Sequence, residues 1–196
     1  MLSSYLSFCI FINKPNKIIN LKMEDTLSYF ERCKIYDAER AEKIRKQFLS
    51  NSLNNSQKME LYNTAINGNV DKLKELVEVK KYNLMEECSA SGYYWTVLHY
   101  ASHYGHINVV NYILEYYQSH CDKVDLLNLQ SNLGLSPLLI SINNSGSVEK
   151  KKQIIELYVH YDIIDFKVCS KEGDDIFDLC KKQGLLEYLL SILKED

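Results

Sequence analysis

Thr96-Val97-Leu98-His99-Tyr100-Ala101-Ser102-His103-Tyr104-Gly105-His106-Ile107-Asn108-Val109-Val110 holds two helical half-patterns joined at a glycine. Leu98 and Ala101 lie three residues apart, on one face of a helix, and Gly105 follows where the chain must reverse. Beyond it Ile107, Val109, Val110, Ile113 and Leu114 restart the apolar spacing as a second helix. A single short helix pair of this kind cannot bury its own apolar face, so copies must stack and share a core.

The same frame recurs on both sides. Before it stands Leu61-x-x-Thr64-Ala65-x-x-Gly68, and near the end stands Phe177-x-x-Cys180-x-x-x-Gly184. Another copy opens as Leu138-x-x-Ser141, with its glycine one residue late at Gly146. The anchors Leu61, Leu98, Leu138 and Phe177 are 37, 40 and 39 residues apart. Each copy carries a second apolar run: Val70, Leu73, Leu76 and Val77; then Val148, Ile154, Ile155 and Leu157; then Leu186, Tyr188, Leu189, Ile192 and Leu193. Small residues at Ala101, Ser141 and Cys180 allow the helices to approach closely.

Residues 96–110 resemble the signature of the ankyrin-repeat family, which runs threonine, proline, leucine, histidine, then alanine, glycine, histidine and paired valines. Only the proline is missing, replaced by Val97. Gly134-Leu135-Ser136-Pro137-Leu138-Leu139 matches the next copy and restores it. The resemblance implies an all-α ankyrin solenoid of about four repeats with short finger-like turns. Its signature positions here are Leu61 and Gly68; Thr96, Leu98, His99, Ala101 and Gly105; Gly134, Ser136, Pro137 and Leu138; and Gly173, Phe177 and Gly184. The spacing exceeds the usual period of about 33, so the excess goes into loops or longer helices.

Thr96 and Ser136 are expected to cap helices, and Pro137 to occupy a first-turn position where its missing amide costs nothing. Val97 forgoes that advantage. Tyr94 stands where the family has its turn glycine, with Gly92 two residues earlier, so this finger is expected to turn differently. In the last copy Asp175 and Ile176 replace threonine and proline; Asp175 remains an acceptable cap. His99 is expected to hydrogen-bond within its repeat.

In ankyrin proteins the partner lies along the concave side formed by the fingers and first helices. That rule points in the second copy to Ala90, Gly92, Tyr93, Trp95, His103 and Tyr104. In the third it points to Gln130, Asn132, Leu133, Leu135, Asn143 and Asn144, and in the fourth to Cys169, Lys171, Glu172, Asp174, Lys182 and Gln183. The groove would then run from aromatic through amide-rich to charged, a layout suited to a peptide or protein surface. The competing reading tucks Trp95 or Tyr93 against a neighbouring finger. The function implied is a protein-binding adaptor or scaffold; the alternative is a stoichiometric inhibitor or regulatory subunit of an enzyme such as a kinase.

Other classes find less support. The formal net charge of -3 does not suit nucleic acid. No phosphate loop, nucleophile elbow, HExxH or calcium loop is present, and neither an enzyme nor a cofactor is expected. His103 and His106 with His120 or Cys121 could suggest zinc, but exposed histidines are the simpler reading, so no metal is expected. Glu149-Lys150-Lys151-Lys152 reads as a solvated helix start or loop, and Glu86-Glu87 and Asp174-Asp175 as solvated finger charges. Cys9, Cys33, Cys88, Cys121, Cys169 and Cys180 show no CxxC pair and read as reduced thiols.

Residues 1–22 read as an extension. Leu2 to Ile12 is apolar but well short of the roughly 20 residues that span a bilayer, and translation from Met23 is an alternative start. Residues 23–57 read as an N-terminal helix at about 25–50, capping the first repeat or binding a partner, followed by a polar linker at 51–57. Residues 58–196 form the repeat domain. A monomer in the cytoplasm, or in the nucleus as well, is the expected setting.

Overall fold

A computed structural model describes residues 53–88, 93–120, 127–166 and 168–193. Among them the chain forms helices α1 (Asn55–Ile66), α2 (Val70–Lys74, continued by a π-helical turn at Glu75–Val79), α3 (Val97–Tyr104), α4 (Ile107–His120), α5 (Pro137–Asn143), α6 (Val148–His160), α7 (Ile176–Lys182) and α8 (Leu186–Ile192). They stack as four antiparallel pairs. α1, α3, α5 and α7 pack on one another as an inner row, while α2, α4, α6 and α8 form an outer row. The predicted helix at 25–50, the extension at 1–22, and Ala90, Gly92, Cys9, Cys33 and Cys121 lie outside the described residues.

The inner helices begin where side chains take up the free amides of a first turn. Asn54 Oδ1 accepts from Gln57 N–H at 3.0 Å, and Asn54 N–H donates to Gln57 Oε1 at 2.8 Å. This reciprocal cap draws residues 55–57 into α1, so the polar linker ends sooner than its composition suggests. Ser136 Oγ accepts from Leu139 N–H at 3.4 Å with Pro137 in the first turn. Asp175 Oδ1 accepts from Asp178 N–H at 2.9 Å. At α3 the Thr96 N–H donates to His99 Nδ1 at 3.1 Å, and Thr96 Oγ1 lies 2.9 Å from the same nitrogen. The histidine thus takes up the N–H of the residue that caps this helix.

The repeated frame is the core. Leu61, Leu98 and Leu138 are buried, and the small residues Thr64, Ala101, Ser141 and Cys180 are buried between the inner helices. Each fully buried leucine contributes on the order of 2 kcal/mol. Gly68 and Gly105 take left-handed φ values of 65° and 67° at the reversal between helices. Each is roofed by the next repeat: the His106 ring lies against Gly68, and a Cβ on Gly105 would stand 2.7 Å from Lys150 Cδ. Gly184, in the last repeat, has nothing over it.

The third repeat breaks this rule. Asn144 is extended there and Gly146 is not left-handed. The turn is closed instead by Lys151, whose Nζ donates to Asn144 O at 2.7 Å and to Gln183 Oε1 at 2.8 Å. Lys151 is buried, so the lysine run is not a fully solvated face as its composition suggests. Burial pushes its ammonium below the usual lysine range.

The outer row is stitched by tyrosines. Tyr112 Oη donates to Glu78 at 3.1 Å with Lys74 Nζ 5.6 Å from its ring centre. Tyr188 Oη donates to Glu156 with Lys152 Nζ 4.6 Å from its ring. In both seams a lysine and a glutamate one helical turn apart grip a tyrosine of the next repeat. Between them Tyr161 Oη donates to Asn111 Oδ1 at 3.0 Å.

Candidate functional site

The fingers are built on one hydrogen-bonding plan with one insertion. Ser131 N–H donates to Leu135 O at 2.9 Å, and Ser170 N–H to Asp174 O at 2.8 Å, each closing a four-residue span. In the first described finger Cys88 N–H donates to Trp95 O at 3.0 Å across a seven-residue span. Three extra residues therefore sit in this finger, accounting for most of the long spacing between the first two anchors. Tyr94, with φ 57°, adopts the left-handed conformation that Gly134 (75°) and Gly173 (87°) hold in the other fingers. The turn at Tyr94 keeps the shared conformation despite the residue change, and the difference lies in the span before it.

Neighbouring fingers are joined through the backbone. Asn132 N–H donates to Tyr93 O at 3.1 Å, and Lys171 N–H to Leu133 O at 3.0 Å. Gln130 Nε2 donates to Gly134 O at 2.7 Å and to Cys169 O at 2.9 Å, fastening the third finger to the fourth. Asn144 Nδ2 donates to His103 O at 2.7 Å, tying the end of α5 to the end of α3.

On this scaffold the aromatic residues form one continuous run. Tyr93 and Trp95 have ring centres 6.1 Å apart, Trp95 and His103 5.2 Å, and His103 and Tyr104 5.0 Å, the last pair edge to face. Tyr104 continues to His106 at 6.1 Å. Beneath them Trp95 rests on Tyr100 at 4.9 Å, and Tyr100 on Tyr62 at 5.0 Å. Tyr93 is 47% exposed, Tyr104 48% and Leu133 44%, whereas Trp95 and His103 are half-buried. Burial lowers the His103 pKa below the ordinary imidazole value, favouring the neutral ring.

A family profile described as Ankyrin repeats (3 copies) matches residues 38–125 and, overlapping, residues 61–166. The chain belongs to the ankyrin-repeat family. The match begins inside the segment 23–57 and stops before α7, although the α7–α8 pair packs as a further repeat. Among solved structures, the ankyrin stack is similar to a chain of the crystal structure of the yeast ribosomal protein Rps3 in complex with its chaperone Yar1. The TM-score is 0.60 at 24% identity, covering 74% of this chain and 95% of that one. No curated protein is similar enough in sequence to match.

The ankyrin stack gathers Tyr93, Trp95, His103, Tyr104, Asn132 and Leu133 on the finger side, with Asn143 exposed beside them. Trp95 packs on Tyr100 and stacks with His99 at 6.3 Å, in the helix of its own repeat rather than against a neighbouring finger, while keeping some surface. Gln130 and Leu135 do not belong to a contact surface. Both are buried, and Gln130 spends its amide on the neighbouring finger. Asn144 is likewise engaged, through its side chain with His103 O and through its carbonyl with Lys151. In the fourth repeat Lys171 and Glu172 are exposed, Cys169 and Gln183 are half-buried, and Lys182 pairs with Asp174.

Two finger charges read as solvated are not. Glu86 is buried with Lys58 Nζ 3.3 Å away, and Asp175 is buried as the α7 cap. Burial holds the Asp175 carboxyl above its ordinary pKa, only partly offset by the amides it accepts from. His99 hydrogen-bonds inside its repeat as the signature implies. His106 Nε2 lies 2.8 Å from Ile66 O, and Tyr104 stands between it and His103. Among the described residues no three His, Cys, Asp or Glu side chains come together as metal ligands would. Sequence reasoning gave Tyr62 and Tyr94 no place at this patch. Tyr62 and Tyr100 support the patch from below, whereas Tyr94 is exposed at the finger turn. The signal was the clustering of tyrosines around the single tryptophan.

Proposed function

We propose that this ankyrin stack is a protein-binding adaptor or scaffold that holds its partner against the fingers and the ends of the inner helices. The observation that carries the reading is the exposure of Tyr93, Tyr104 and Leu133 on adjoining, mutually hydrogen-bonded elements. Exposed aromatic and aliphatic side chains on a rigid support supply contact area at little ordering cost, which is what interface anchors need. The likeness to a chain from a complex of a ribosomal protein with its chaperone is in keeping with a macromolecular partner. Among the described residues no helix is long and apolar enough to cross a membrane.

A reducing compartment such as the cytoplasm fits the free thiols of Cys88, Cys169 and Cys180. Burial pushes the Cys88 and Cys180 thiols up to about 12, keeping them protonated and unreactive. The test is a partner captured by the full chain and then challenged with Tyr93→Ala, Tyr104→Ala and Leu133→Ala combined. Loss of the partner from a variant with unchanged helical signal is expected. Full retention would sink the surface assignment.

A further inference from the structure

The first repeat is built as an end of the stack. In the second repeat Tyr112 marks the side of α4 that meets the repeat before it, since its Oη donates to Glu78 at 3.1 Å. Val109, one turn earlier on the same face, is fully buried, and so is Val97 at the start of α3. In the shared frame, 37 residues earlier, these three positions are Glu60, Lys72 and Glu75. There they bond to one another: Lys72 Nζ stands 3.2 Å from Glu60 Oε1 and 2.9 Å from Glu75 Oε2, and Lys80 Nζ joins Glu60 at 2.8 Å. A face closed by its own ion pairs is a poor seat for an apolar stripe, because covering it takes charges out of water. The expected helix at 25–50, with Leu27, Phe30, Ala41, Ile44 and Phe48 along one side, therefore fits better elsewhere.

The chain enters the stack beside the finger-side patch. α3 starts at Val97, the frame equivalent of Glu60, whereas α1 starts at Asn55, so α1 overhangs the frame by five residues at its finger end. Lys58, in this overhang, lies 3.3 Å from Glu86, and Cys88, two residues further on, donates its backbone N–H to Trp95 O. Met59 at the same junction is 50% exposed. Residues before 53 thus lead away from the flank of the finger that carries Tyr93 and Trp95. A helix over 25–50 is about 39 Å long. That length spans the run from Tyr93 through Trp95 and His103 to Tyr104, whose successive ring centres are 6.1, 5.2 and 5.0 Å apart.

We propose that the amphipathic segment 25–50 lies across the finger-side patch, sets its apolar stripe on Tyr93, Tyr104 and Leu133, and is displaced by the partner. This rests on the protein-binding reading of the same face and adds its regulation: the chain covers its own binding surface until a partner competes for it. Docking removes two apolar surfaces from water at once, and the short connection to α1 keeps the segment at high effective concentration over the patch.

Trp95 is the only tryptophan, so its quenching by acrylamide reads the cover directly in the full chain. Ile44→Asp with Phe48→Asp puts charge into the stripe. It should raise the quenching of Trp95 and speed hydrogen exchange in the fingers at 93–95 and 131–135 by about tenfold. Lys43→Ala with Lys46→Ala, on the polar side, should change neither. The coupling is reciprocal, so Tyr93→Ala with Tyr104→Ala should speed exchange within 25–50 by a similar factor. Faster exchange confined to α1 and α2 in the stripe variant, with Trp95 unchanged, would seat the segment on the end of the stack and overturn the inference. Exchange within 25–50 that ignores the patch variant would overturn it as well. If the cover fails in either way but the alanine variant of Tyr93, Tyr104 and Leu133 still loses its captured partner, the binding reading stands. If the stripe variant uncovers Trp95 and the alanine variant keeps its partner, the binding reading falls and the cover alone stands.

Discussion

Gly134→Ala should damage this protein far more than Gly184→Ala, although both glycines have left-handed φ values, 75° and 69°. Adding a Cβ to a residue held in that region costs about 1 kcal/mol. For Gly184 the cost ends there, because nothing lies within 4 Å of the new atom. At Gly134 the Cβ would stand 2.8 Å from Lys171 N, 3.0 Å from Ser170 C and 3.1 Å from Cys169 O. All three are backbone, so no side chain can rotate away and the third and fourth fingers must part. That movement weakens the Lys171 N–H to Leu133 O bond at 3.0 Å and the Gln130 Nε2 to Cys169 O bond at 2.9 Å. With about 1 kcal/mol net for each hydrogen bond added to the conformational cost, Gly134→Ala should cost roughly 3 kcal/mol. At roughly 2–4 °C per kcal/mol, Tm should fall by about 10 °C against about 3 °C for Gly184→Ala. Urea unfolding followed by circular dichroism should also show a shallower slope, since parting one seam uncouples the last repeat. Equal losses for the two variants would refute the claim that the fingers are locked backbone to backbone.

Further outcomes follow from the caps and the outer seams. Asp175 has a folded pKa above its unfolded value of about 3.9, so the folded chain holds that proton more tightly. Its contribution to stability therefore falls as pH rises from about 4 through the raised folded value, then levels off. Asp175→Asn keeps a capping side chain and should erase that slope, whereas Asp175→Ala should lose about 1 kcal/mol at neutral pH; urea midpoints measured across pH read both. Tyr112→Phe and Tyr188→Phe each remove the hydroxyl of one lysine–glutamate seam and should each cost about 0.5–1 kcal/mol in urea midpoint. The double variant should cost the sum, because the seams share no residue.

The stack was legible because its signal is covalently periodic. Leu61, Leu98 and Leu138 bury where the frame places them, and Ser136, Pro137 and Asp175 start helices as their chemistry demands. What the sequence hid were exchanges in which one residue takes over another's task by tertiary contact. Lys151 closes the third turn where no left-handed glycine stands. Tyr94 carries a glycine's conformation, and no local pattern announces that. At the candidate site, the exposure of Tyr93, Tyr104 and Leu133 was readable by position in the repeat. The inward turn of Gln130 and Leu135 was not, because it depends on the pairing of adjacent fingers.

The most direct test of the account is the affinity of the captured partner for two matched variants of the full chain. One replaces the finger-side anchors Tyr93, Tyr104 and Leu133 with alanine; the other replaces Val79 and Val148, exposed hydrophobics of the outer row, in the same way. The account predicts a Kd at least about tenfold weaker for the first and unchanged for the second, by titration calorimetry. An unchanged Kd for the finger-side variant, with loss confined to the outer-row variant, would contradict it.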